Sequence, residues 1–120
     1  MSVENPTTIK PYFRGVKGEA DGTWYSIADK PSGTDVVKIE TLMICNERFD
    51  EMVVSLAIGN TSTYWMRSKI PAQCTLHVVS AEAPFYLTSD DIYLRVDMST
   101  GEDITSEIVN VVVSGLEIIA

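Results

Sequence analysis

Ile92-Tyr93-Leu94-Arg95-Val96-Asp97-Met98-Ser99 alternates without a break, with Ile92, Leu94, Val96 and Met98 on one parity and Tyr93, Arg95, Asp97 and Ser99 on the other. Side chains of a strand point alternately to its two faces, so this pattern predicts an antiparallel strand with one face on a core and the other in water. Val36 to Glu47 reads as a longer strand. A single unbroken alternation there puts Val37, Ile39, Thr41, Met43 and Cys45 on one face, and Val36, Lys38, Glu40, Leu42 and Ile44 on the other. Its second half is apolar on both faces, which predicts a central strand covered on both sides. Ile104 to Ile119 is the closing strand, apolar on alternate positions around Ile108 to Val113, and Gly115 marks a bulge or twist where the pattern changes face.

The other segments are short and separated by turn chemistry. Thr8 to Val16 is broken by Pro11 and is predicted at a sheet edge. Thr23 to Ala28 precedes Asp29-Lys30-Pro31-Ser32-Gly33, where proline presets φ and Gly33 supplies a positive φ. Met52 to Gly59 and Tyr64 to Ile70 form a hairpin about Gly59-Asn60-Thr61, and Cys74 to Val79 and Phe85 to Thr88 follow. Short strands at this spacing predict an all-β fold: an antiparallel β-sandwich, jelly-roll-like, of about eight strands. Residues 1–22 read as an N-terminal segment with one edge strand and 23–120 as the sandwich, together one domain.

Composition agrees. Val, Ile and Thr number 13, 11 and 11 against 6 Leu and 7 Ala, and β-branched side chains fit a pleated surface better than a helix. At 120 residues and 45% hydrophobic the chain can bury roughly two-thirds of its unfolded surface without staples. The net charge of −8, with nine scattered Lys and Arg, argues against nucleic acid, which needs clustered cations, and against an anionic membrane. No apolar run reaches the ~18–20 residues of a membrane span, and the first residues lack a secretory pattern, so synthesis in a cytosol-like compartment is expected. Cys45 and Cys74 lie in apolar runs and are expected to be buried free thiols.

Few residues invite chemistry. The one histidine, His77, sits between Leu76 and Val78, without a second His or Cys near it in sequence to build a zinc site. Asp97, Ser99 and Asp103 space oxygen donors loosely as hard-cation loops do, though a plain hairpin loop uses the same residue types. No cofactor motif is present, and the chain reads as non-enzymatic. The adjacent pairs Trp24-Tyr25 and Tyr64-Trp65 must each split across a strand, which makes Trp24, Tyr64 and Trp65 candidates for partner or glycan contact.

Ile27-Ala28-Asp29-Lys30-Pro31-Ser32-Gly33-Thr34-Asp35-Val36-Val37-Lys38-Ile39 followed by Leu42-Met43-Ile44-Cys45-Asn46 resembles a pattern of small β-sandwich virion structural proteins of tailed bacteriophages, of the tail, neck, baseplate or head-decoration type. Ile70-Pro71-Ala72-Gln73-Cys74-Thr75-Leu76, Leu87-Thr88-Ser89-Asp90-Asp91-Ile92 and Val113-Ser114-Gly115-Leu116-Glu117-Ile118 extend the likeness over about residues 23–119, with Gln73 and Asp90 where glycine is expected. The resemblance implies a non-enzymatic structural subunit, made in the host cytoplasm and resident in the virion. It would act by symmetric self-assembly and by binding other phage structural proteins in tail, neck or baseplate. A capsid decoration and a glycan-binding module are the alternatives. Leu42, Ile44, Val109 and Val111, placed outward by the simple alternation, are the expected interface residues of a homo-oligomer.

Overall fold

The computed structural model describes residues 8–60, 64–88 and 91–119. Its strands are β1 (Thr8–Ala20), β2 (Trp24–Ala28), β3 (Val36–Asn46), β4 (Met52–Ile58), β5 (Tyr64–Ile70), β6 (Thr75–Val79), β7 (Phe85–Leu87), β8 (Ile92–Met98) and β9 (Ile104–Ile119). Among the described residues there is no helix. Among the described residues these are nine strands against the expected count of about eight, and the short segment read at Phe85 forms β7, paired with β3.

All pairings are antiparallel, and they nest: β4 with β5, β3 with β6 and β7, β2 with β8, β1 with β9. This is one long ribbon folded back on itself at the β4–β5 hairpin. Winding the ribbon deals successive pairs into two sheets, one of order β1-β9-β3-β6 with β7 also on β3, the other β2-β8-β4-β5. That order is a jelly roll. The core lies between the sheets and takes the apolar parity of each strand, including Ile92, Leu94, Val96 and Met98 of β8 and Met52, Val54 and Leu56 of β4. The expected turn after β2 forms, with Thr34 N–H donating to Pro31 O at 3.1 Å and Gly33 at φ 87°. The predicted turns at Thr61 and at Ser89-Asp90 fall on residues outside those described.

The alternation of β3 does not run through. Ile39 pairs with Gly115 and Thr41 with Ser114, leaving Glu40 as an extra residue on β3. A bulge of this kind turns every later side chain to the opposite face. Val37 and Ile39 point inward before it, and Leu42 and Ile44 after it. Gly115 is required at this level: a Cβ there would stand 1.9 Å from the Lys38 carbonyl oxygen.

Two polar knots fix the ends of the sandwich. Asn46, buried at the end of β3, donates from Nδ2 to the carbonyls of Asp50, Ile70 and Pro71 at 2.9, 3.1 and 3.1 Å, and its Oδ1 accepts from Arg48 N–H at 2.9 Å. One amide thereby clamps the β3–β4 and β5–β6 connections together. At the other end the Tyr12 hydroxyl donates to Asp29 Oδ1 and accepts from Asp29 N–H, both at 3.1 Å, tying the edge strand β1 to the turn after β2.

Candidate assembly surface

The four aliphatic residues expected outside are inside. Leu42, Ile44, Val109 and Val111 are essentially fully buried between the sheets. The physical reason is the Glu40 bulge, which moves Leu42 and Ile44 to the core side and matches them with Val113 and Val111 of β9. The residues of β3 that the bulge turns outward are Thr41, Met43 and Cys45.

Cross-strand pairing defines that outer face of the first sheet row by row. Ile9, Ile118 and Val36 make the first row; Pro11, Leu116, Lys38 and Tyr86 the second; Phe13, Ser114 and Thr41 the third. Gly15, Val112, Met43 and His77 make the fourth, and Lys17, Asn110, Cys45 and Thr75 the fifth. The outer face of an antiparallel sheet in water is ordinarily polar. Here it carries Phe13 at 68%, Ile9 at 59% and Tyr86 at 53% exposure. Val36, Met43, Val112, Leu116 and Ile118 are half-exposed between them. Alternation in β9 makes these residues legible once Glu40 is recognised as an insertion. The signal was there in the spacing Val37, Ile39, Leu42, Ile44, which steps by two, three and two.

The outer face of the second sheet has another character. Trp24, Arg95, Ser55 and Arg67 share a row, and Tyr64 pairs with Ala57 in the next. Trp24 and Tyr64 rings approach to 5.7 Å between centroids, and the Arg95 guanidinium lies over both at 5.2 and 5.7 Å. Asp97 holds Arg95 Nε at 3.2 Å. Trp24 and Tyr64 are thus brought together, but a ring face they would offer to a sugar is shared with a guanidinium. Trp65 is elsewhere: a register shift between Leu56 and Ala57 turns it to the core side, where it packs on Phe85 at 5.0 Å. It is not an exposed anchor.

The remaining candidates sort themselves by their partners. Asp97 is committed to Arg95 on the outer face, whereas the Ser99 hydroxyl donates to the Glu51 carbonyl at 3.1 Å and Asp103 is exposed. Among the described residues no three His, Cys, Asp or Glu side chains gather as a metal site. His77 stands on the outer face of the first sheet opposite Met43. A cleft of about 340 Å³ is lined by Val53, Arg67, Ser68 and Lys69, none of which is a carboxylate, thiol or imidazole. Both cysteines are free, but neither is buried. Cys45 is half-exposed on the outer face with Thr75 Oγ1 donating to its sulfur at 3.4 Å, and Cys74 is exposed in the turn before β6. The bulge accounts for the first and the turn for the second.

No protein-family model matches the chain, and no curated protein does. Solved structures do. A subunit of the Bacillus endospore appendages, described as a family of disulfide-linked pili, superposes with a TM-score of 0.60 at 9% identity, over 100% of this chain and 96% of that one. A chain from the infectious bursal disease virus Gx strain matches at TM-score 0.43 and 11% identity, over 96% of this chain and 33% of that one. At such identities the first likeness shows the fold, end to end.

Proposed function

We propose that this protein is a non-enzymatic structural subunit that works by assembling symmetrically with copies of itself and with neighbouring structural proteins. The observation that carries the reading is the outer face of the β1-β9-β3 sheet, which exposes Ile9, Phe13 and Tyr86 where a solvated sandwich would be polar. Exposed apolar surface of this kind marks an interface, since leaving it wet costs roughly 25 cal/mol per Å². The end-to-end fold likeness to a pilus subunit supports assembly as the kind of work done. The resemblance of residues 23–119 to tailed-phage β-sandwich proteins directs the finer reading to a virion, in the tail, neck or baseplate.

The test is quantitative mass spectrometry of purified particles together with electron microscopy of the isolated protein. Many copies per particle, or ordered rings or filaments from the pure protein, are expected. A catalytic turnover with no particle-associated copies would overturn the reading. Capsid decoration is separated by the copy number, which would then follow the number of capsid subunits.

A further inference from the structure

Resting on that assembly reading, we infer that the outer face of the β1-β9-β3 sheet docks a second copy of this same chain, face to face, about a two-fold axis. Three features of the face select a second copy as the occupant.

The first is size. Five rows roughly 6.7 Å apart across four strands about 4.8 Å apart give a footprint of about 500 Å² per copy. Doubling it reaches about 1,000 Å², the low end of specific contacts between proteins. A contact of this size belongs with the weak, transient class, and area alone sets no affinity.

The second is charge. The chain carries −8 overall, so two copies meeting through an arbitrary surface repel. Among the five rows and the bulge, Glu40 is the single acid, and Lys38 stands on the same strand two residues before it. Glu47 reaches the end of the face, where its carboxylate accepts from Asn110 Nδ2 of the fifth row, whereas Asp50, Glu51, Glu102 and Asp103 lie in the connections at that end of the sandwich. This face is where a strongly acidic molecule can approach its own copy.

The third is self-complementarity. The two most exposed aromatics of the face stand on opposite edges, Phe13 on β1 in the third row, with Ser114 and Thr41 small beside it, and Tyr86 on β7 in the second, next to Lys38 and Leu116. A two-fold axis along the strands, between β9 and β3, lays β1 of one copy over β7 and β6 of the other. Phe13 then comes beside Tyr86, one row or about 6.7 Å away along the strand, once on each side of a third row where Ser114 and Thr41 let the sheets close to the usual ~10 Å.

Sedimentation of the full chain from about 1 to about 200 µM tests the contact, a range that brackets a micromolar constant. The wild type is expected to pass reversibly from monomer to dimer. The double variant Phe13→Glu, Tyr86→Glu alters only exposed side chains, so its melting temperature should hold while its dissociation constant rises at least tenfold. Tyr64→Glu, on the outer face of the other sheet, should leave association unchanged. Association that survives the double variant overturns this face as the contact while leaving the assembly reading intact. A wild type that stays monomeric across the range overturns the two-fold contact, and the particle copy number then decides the assembly reading on its own.

Discussion

A Cβ at Gly115 would fall 1.9 Å from Lys38 O, 2.9 Å from Lys38 C and 3.0 Å from Ile39 Cα, all backbone atoms that no rotamer change moves away. Gly115→Ala must therefore push β9 off β3 in the middle of the first sheet. The expected cost is about 3 kcal/mol or more, the upper range for overpacking, read as a lowered denaturation midpoint at unchanged slope. The same variant at Gly15, where the nearest atoms are Phe13 ring carbons at 3.8 and 3.9 Å, should be mild. Gln73 shows the opposite economy. It takes φ 58°, the left-handed conformation of the glycine its position resembles, held by its own N–H donating to Arg48 O at 3.0 Å and its Nε2 to Glu47 O at 2.8 Å. The cysteines give a direct check of which way β3 faces after its bulge. With Cys74 exposed and Cys45 half-exposed, a thiol reagent should label the native protein at both, Cys74 faster. Labelling only after denaturation would return Cys45 to the core and with it the unbroken alternation.

At the scale of elements, the segments were legible because their bounds are set by local chemistry. Tyr64–Ile70 and Ile104–Ile119 coincide with the strands read from pattern, and Ile92–Met98 differs by one residue. What did not follow from local pattern was the parity of β3 beyond Glu40. An insertion is stabilised by what lies opposite, here Gly115 some 75 residues on, and a period-2 reading of one strand cannot see it. The candidate surface inherited that error and named the core in place of the face. The Tyr12 knot is a second long-range feature that periodicity does not announce, and it has a pH signature. Burial of the phenol, above all, raises its pKa above the ordinary 10.0, although the Asp29 N–H it accepts pulls the other way. The folded state then holds this proton more tightly than the unfolded chain. Its contribution is complete below pH 10 and is lost as pH climbs through the folded value. Tyr12→Phe should cost about 1 kcal/mol at neutral pH. It should also flatten the alkaline fall in stability, leaving the part due to Tyr25, whose pKa is raised by burial and by its hydrogen bond to Asp21.

The whole molecule measures 57 × 26 × 22 Å, more than twice as long as it is wide or thick, so each sheet offers a long face. The proposed self-association has two candidate modes, and they differ in sign with salt. In one, apolar outer faces of the first sheet meet across a two-fold axis. In the other, Arg67, Lys69 and Arg95 on the second sheet take the acidic end of a neighbour, a head-to-face contact that propagates as a chain. Lys69 already leans toward Glu51 at 3.9 Å and Arg95 is bonded to Asp97, so those cations are partly neutralised within their own chain. Raising ionic strength shortens the screening length from about 30 Å at 0.01 M to about 10 Å at 0.1 M, which weakens attraction and repulsion between exposed charges alike. An apolar contact between two copies of charge −8 is opposed by repulsion alone, so salt should strengthen it. The dissociation constant from sedimentation is expected to fall several-fold between about 0.02 and 0.5 M sodium chloride. A constant that rises over the same range would assign the contact to the arginine face and overturn the two-fold arrangement.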